Sequence, residues 1–210
     1  GAAFGTSVAG AGDVNGNGFF DVVVGAELWD NGQADEGGAF VFYGSTTGVN
    51  TGGYSTLERN VAGGHFGHGV AEGGDVNGDG YADVVIGAPL SENGQADEGL
   101  LYVYRGSATG MAAAAYDQLE PNAANYWLGN SVSGGGDVDG DGYSDVLGGA
   151  PNASPTAANE GAAYWYRGNL GRSLGRLTRQ YDADLVSPMS TNSIDFANPA
   201  FFGIGHFARS

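Results

Sequence analysis

The sequence predicts an all-β protein, a β-propeller segment made of three four-stranded antiparallel blades. Asp13, Asp75 and Asp137 are spaced 62 positions apart, and the sequence around each of them is similar. Tandem units of this size are typical of propellers and solenoids. Each unit contains four short apolar or aromatic runs separated by glycine-rich turns, which favours a propeller blade over a solenoid turn.

The repeat divides the chain into three predicted blades, residues 1–62, 63–124 and 125–186, with a less regular outer part after about residue 170. The remaining segment, residues 187–210, does not follow the period. It is interpreted as the start of a region beyond the propeller or, alternatively, of a further blade.

Within each blade the strands are predicted in the following order. The first strand comes after a Phe-Gly or Leu-Gly pair, and the second is a fully apolar run that should be buried on both faces. The third is rich in aromatic residues, and the fourth is weak, as expected for an outer edge. The first strands are predicted at 6–10, 70–72 and 131–133, and the second strands directly after each Asp-rich loop. The third strands are predicted at 39–43, 101–104 and 163–166, and the fourth near 54–58 and 116–120. One helix candidate, 111–115, is too short to be convincing.

An Asp-rich loop joins the first two strands of each blade. Its third copy runs from Asp137 to Asp145 and carries oxygen-bearing side chains at loop positions 1, 3, 5 and 9, with glycine at 4 and 6. Ca²⁺ takes about six to eight oxygen ligands, and glycine lets a short loop converge them. Gly148 stands where an EF-hand has its twelfth-position Glu, so this loop is not an EF-hand.

Up to three Ca²⁺ ions are therefore predicted, one per blade, with position 7 contributing its backbone carbonyl. The predicted ligands are Asp13, Asn15, Asn17, Phe19 and Asp21; Asp75, Asn77, Asp79, Tyr81 and Asp83; and Asp137, Asp139, Asp141, Tyr143 and Asp145. The number of carboxylates falls from the third loop to the first, which predicts falling affinity in that order.

The formal charge of −17 argues against nucleic acid as a partner, because phosphate binding needs clustered Lys and Arg. The acidic enrichment fits bound cations or, alternatively, a salty habitat. Calcium should relieve the repulsion within the loops and stabilise the chain. No apolar run approaches the ~20 residues needed to span a bilayer.

The Phe-Gly pair, the Asp-rich loop and the Gly-Ala-Pro sequence after it resemble FG-GAP repeats, the units of integrin α-subunit propellers. Bacterial integrin-like proteins are similar, down to the stretch at residues 31–37 and 93–99. The resemblance implies seven-bladed propellers with calcium in the loop between strands one and two, and an extracellular or cell-surface location. The first copy departs from the pattern, with Asn17 at position 5 and Glu27 in place of Pro.

The turns between strands two and three should emerge at the end of each blade opposite the calcium loops. Their acidic residues could form a ring that docks a basic or metal-bridged partner, or could serve only as turn residues. These residues are Asp35, Glu36, Asp97, Glu98 and Glu160. His65 and His68 lie three apart but lack a third zinc ligand, so they are interpreted as surface residues.

The predicted function is that of a calcium-binding, integrin-like propeller segment of a secreted or surface-attached bacterial protein, acting in binding or adhesion and not as an enzyme. A protein or glycan ligand is expected opposite the calcium loops, and other blades or copies of the chain are further expected partners. Two alternatives stay open: a self-assembling sheath or filament component, and a propeller module of a carbohydrate- or lipid-anchor-cleaving enzyme.

Overall fold

A computed structural model describes residues 1–155, 158 and 160–169. Eleven strands form three separate antiparallel sheets in this part of the chain, which confirms the all-β fold class. No helix occurs among these residues, and residues 111–115 form bends and irregular backbone instead. The described residues accordingly include no helix that is long and apolar enough to cross a membrane.

The first blade contains β1 (Phe4–Gly12), β2 (Asp21–Ala26), β3 (Gly38–Ser45) and β4 (Gly48–Leu57), hydrogen-bonded in chain order. The second contains β5 (Gly69–Gly74), β6 (Asp83–Ala88), β7 (Leu100–Tyr104) and the short β8 (Asp117–Leu119). The third contains β9 (Ser131–Gly136), β10 (Asp145–Ala150) and β11 (Ala162–Tyr166). Its predicted fourth strand, the segment 187–210 and His206 lie outside the described residues.

Apolar side chains meet between neighbouring blades and form the core. Phe66, Tyr102 and Tyr104 of the second blade are buried in one cluster with Val23 and Val41 of the first. A second cluster repeats this arrangement between the second and third blades. Because burial of one such side chain contributes about 1.5–3 kcal/mol, the blades stabilise one another mainly through these interfaces.

Two glycines of the repeat allow the blades to approach closely. A Cβ on Gly87, in the Gly-Ala-Pro sequence of the second blade, would overlap the backbone oxygen of Gly129, which follows Leu128 in the third blade. Gly25 and Gly67 make the same contact between the first and second blades. The glycine repeated at this position thus has a steric cause, because any larger residue at Gly25 or Gly87 would push two blades apart.

Candidate metal centre

The three Asp-rich loops connect β1 to β2, β5 to β6 and β9 to β10, as predicted. In each loop the position-1 carboxylate accepts hydrogen bonds from backbone N–H groups further along the loop. Asp137, for example, accepts from Gly140 at 2.7 Å, Asp141 at 3.0 Å and Gly142 at 3.0 Å. Gly140 and Gly142 have φ of 75° and 93°, which bulkier residues rarely adopt. The loop is therefore wrapped around its own first carboxylate.

Positions 3 and 5 fold in the same way in all three copies. The side-chain oxygen at position 3 accepts from the N–H at position 5, and the oxygen at position 5 accepts from the N–H at position 7. The acceptors are Asn15, Asn77 and Asp139, then Asn17, Asp79 and Asp141; the position-7 donors are Phe19, Tyr81 and Tyr143. A metal contact by the position-7 carbonyls stays a prediction.

The position-9 residues, Asp21, Asp83 and Asp145, are buried. The two carboxyl oxygens of Asp83 accept from Val76 within the loop at 2.9 Å and from Gly106 beyond β7 at 3.0 Å. Burial raises the pKa of all three carboxyls above its ordinary value, against the lowering effect of these hydrogen bonds, and raises that of Asp83 to about 7. A neighbouring cation would favour the ionised form. These aspartates join each loop to the end of the third strand of its own blade.

The third loop gathers the most acidic oxygens. In the described part of the chain, Asp137, Asp139 and Asp145 are the one group of three ionisable ligand residues whose ligand atoms lie within 4.8 Å of one another. Asn15 and Asn77 replace one of these carboxylates in the other two loops. All the candidate donors are carboxylate or amide oxygens, which is the donor chemistry that Ca²⁺ prefers, so the loops fit this ion.

Arg167 contacts two of the carboxylates of the third loop. Its Nε lies against Asp139, and its Nη2 is 3.1 Å from a carboxyl oxygen of Asp141. The equivalent residue of the second blade, Arg105, instead stacks on the ring of Tyr116, 4.6 Å from its centre. Sequence reasoning missed the Arg167 contact, because the sequence shows an arginine at both positions but not which partner each one takes.

The predicted acidic ring at the opposite end of the blades is wrong for two of its members. Glu36 and Glu98 are almost fully buried, and each accepts a hydrogen bond from a backbone N–H of its own turn, that of Asn31 and that of Asn93. The turns fold around these carboxylates, so neither side chain is available to a partner. Asp35 is exposed, and Asp97 and Glu160 are half-buried.

His65 and His68 were interpreted as surface residues, but both contact a third ionisable group. Their Nδ1 atoms lie 3.4 Å and 2.5 Å from the same carboxyl oxygen of Glu27, and all three side chains are partly buried. Burial pushes the pKa of Glu27 upward, but hydrogen bonds and charge from the two imidazoles outweigh it, so this pKa lies below its usual value. One sequence feature pointed to this contact: Glu27 stands where the other two copies have Pro.

Comparison with known proteins places this repeat in a family. The model of the FG-GAP repeat matches residues 4–42, 66–104 and 128–166. Integrin alpha-PS5 of Drosophila melanogaster is 32% identical over 179 residues, which cover 80% of the chain and 16% of that protein. Integrin alpha-PS3 of the same species is 34% identical over 182 residues, 80% of the chain and 14% of that protein.

Integrin alpha-4 of Xenopus laevis is 34% identical over 158 residues, 71% of the chain and 14% of that protein. The chain thus spans about a sixth or less of the length of these relatives. The three matched segments each begin at the Phe-Gly or Leu-Gly pair and end in the third strand, and so contain the whole Asp-rich loop. The chain belongs to the FG-GAP repeat family and is integrin alpha-like.

Proposed function

We propose that the chain is a calcium-stabilised, integrin-like propeller segment of an extracellular or surface-attached protein, and that it acts in binding or adhesion without catalysis. The observation that carries the calcium role is the common architecture of the three loops. Each loop holds side-chain oxygens at positions 1, 3 and 5 beside a buried position-9 aspartate that hydrogen-bonds to the end of the third strand of its blade. Calcium is accordingly a structural clip for each blade.

Repulsion between carboxylates explains why each Asp-rich loop needs a cation. The loops contain nine aspartates, two in the first, three in the second and four in the third. Like charges a few ångströms apart repel one another, and ionising a buried carboxylate costs more free energy than ionising an exposed one. A divalent cation at each loop would remove this cost, and because it binds the folded chain alone, it would stabilise folding by mass action.

Thermal unfolding with calcium and with a chelator tests the clip. At calcium concentrations about 100-fold above the dissociation constant, one site contributes about 2.7 kcal/mol, so the melting temperature should rise by several degrees. A variant with Asp13, Asp75 and Asp137 all replaced by Asn should lose this rise. If the chelator leaves the melting temperature of the wild-type chain unchanged, calcium is not a structural clip here.

The binding role is supported by the family relationship and by the turns at the end of the blades opposite the loops. Asp35 is exposed there and Asp97 is half-buried, so both carboxylates can be reached by a partner. Their replacement by Asn, which tolerates the positive φ of 49° and 48° at these positions, should weaken capture by immobilised extracellular proteins or glycans without lowering the melting temperature. If the variant captures every ligand as well as the wild-type chain does, the turns at this end of the blades are not the binding site.

Self-assembly is a second candidate, favoured by an aromatic face on the first blade. Phe4 and Val8 are 58% and 67% exposed there, whereas the equivalent Phe66 and Val70 of the second blade are buried at its interface with the first. The side chains of Phe40, Phe42 and Tyr54 extend this exposed face. No observation favours the remaining alternative, a module of a cleaving enzyme.

Light scattering over a range of concentrations tests assembly. The mass of the wild-type chain should rise with concentration, and a chain with Phe4→Ser and Val8→Ser should stay monomeric. A wild-type chain that stays monomeric at every concentration would exclude assembly through this face.

A further inference from the structure

Three side chains that have no equivalent in the other copies meet at one place between the first two blades. Glu27 stands where the other copies have Pro89 and Pro151. His65 stands where they have Ala3 and Trp127, and His68 where they have Thr6 and Asn130. In the structure both imidazole Nδ1 atoms are directed at one carboxyl oxygen of Glu27.

The backbone presents both histidines on the same side of a tight turn. His68 N–H donates to the carbonyl of His65 at 3.1 Å, and His65 has φ of 54°. The other two blades form the same turn with different side chains, at 3.1 Å and 3.2 Å. His65 N–H also donates to the carbonyl of Asp35 in the first blade at 3.3 Å. The turn is therefore fixed independently of the histidine side chains, which leaves the imidazoles free to serve another purpose.

Two imidazoles and a carboxylate are a donor set that suits Zn²⁺ and similar divalent transition metals. Zinc–ligand bonds of about 2.0–2.2 Å in a tetrahedron place neighbouring ligand atoms about 3.4 Å apart. The Glu27–His65 separation is already 3.4 Å, while the 2.5 Å Glu27–His68 hydrogen bond would lengthen by about 1 Å on metal binding. The side chains are 19–31% exposed, so an ion can reach them from solvent.

Metal binding would also require the two imidazoles to approach each other, since this cluster does not bring all three ligand atoms within 4.8 Å. Partly exposed imidazoles can make this movement by side-chain rotation while the backbone turn stays in place. The carboxylate that now bridges the imidazoles would become the third ligand.

We propose that Glu27, His65 and His68 form a binding site for one divalent transition-metal ion, chemically distinct from the oxygen-lined calcium loops. Glu27 follows β2 of the first blade, and the histidines precede β5 of the second, so the ion cross-links two blades. The site lies at the end of the blades opposite the calcium loops. Three protein ligands leave a fourth position for water or for an acidic group of a partner.

Zn²⁺ binding measured by competition with a chromophoric chelator, in excess Ca²⁺ to saturate the loops, tests the site. The chain itself supplies matched substitutions: Glu27→Pro, His65→Ala and His68→Asn each restore a residue present at the same position of another blade. Each should weaken Zn²⁺ binding about tenfold or more, since even outer-sphere changes cost 10–100-fold. The three together should abolish the site, and His206→Ala should leave it unchanged.

Co²⁺ provides a second readout, because a four-coordinate site gives strong visible absorption that oxygen-lined loops do not. The wild-type chain should bind one Zn²⁺ and develop this absorption with Co²⁺, and the triple variant should do neither while keeping its calcium-dependent melting temperature. Equal Zn²⁺ affinity of the wild type and the triple variant would overturn the proposal, as would loss of binding in His206→Ala alone.

Discussion

Replacement of Arg167 by Gln should increase the calcium affinity of the third loop. The guanidinium contacts Asp139 and Asp141, two of the carboxylates predicted to bind the ion, so calcium must displace it. Partly exposed ion pairs contribute about 0.2–1 kcal/mol each, so breaking two costs about 0.4–2 kcal/mol. The variant does not incur this cost, and its affinity should be about 2–30-fold higher.

Calorimetric titration of calcium measures this effect in a chain whose first two loops are disabled by Asp13→Asn and Asp75→Asn. Arg105→Gln is the matched control, because Arg105 stacks on Tyr116 at the equivalent position of the second blade. That variant, tested in a chain with only the second loop intact, should bind calcium as before. Unchanged or weaker binding by the third loop in Arg167→Gln would refute the competition. The contact also opposes the affinity order expected from the number of carboxylates alone.

Three further outcomes follow from the blades. Asp83→Ala leaves two buried backbone N–H groups without their acceptor and should lower the free energy of unfolding in chelator by about 2–5 kcal/mol, measured by urea denaturation. In chelator, stability should fall as pH rises from about 4 to about 7, because burial raises the pKa of Asp83 from 3.8 to about 7 and the folded chain binds a proton there that the unfolded chain has lost. Asp83→Asn should reduce this dependence of stability on pH. If the dependence is unchanged, it arises from other groups. Gly87→Ala should lower the free energy of unfolding by about 1–3 kcal/mol through overlap with Gly129, whereas Gly10→Ala, which has open space around its Cβ, should be well tolerated.

The strands and the folded form of the Asp-rich loops could be predicted because both are properties of the repeat. An Asp at position 9 followed by an apolar run indicates loop and strand together, and three copies in phase exclude chance. The hydrogen bond that joins this Asp to the end of the third strand could not be predicted from the sequence. Gly44, Gly106 and Gly168, which donate to the position-9 carboxylates, lie 23 residues further along, and their sequences carry no polar side chain that would reveal the contact.

Contacts at departures from the repeat could not be predicted in the same way. Glu27, His65 and His68 are up to 41 positions apart, and their meeting depends on how two blades pack. The burial of Glu36 and Glu98 was missed for a related reason. An acidic residue in a turn is usually exposed, and only the three-dimensional path of the turn shows that its backbone N–H groups point inward at the carboxylate.

The contact of Gly25 with Gly67, repeated by Gly87 with Gly129, joins unlike surfaces. The Gly-Ala end of the second strand in one blade contacts the Phe-Gly or Leu-Gly pair at the start of the next blade. Such a heterologous interface does not by itself limit the number of blades, because a blade that binds one neighbour on one side presents the complementary surface on the other. Whether a series of blades closes into a ring or continues as an open array therefore depends on the rotation between successive blades. Two glycine backbones touch at each of these interfaces, so a single added methyl group there would change this rotation at every repeat that carried it.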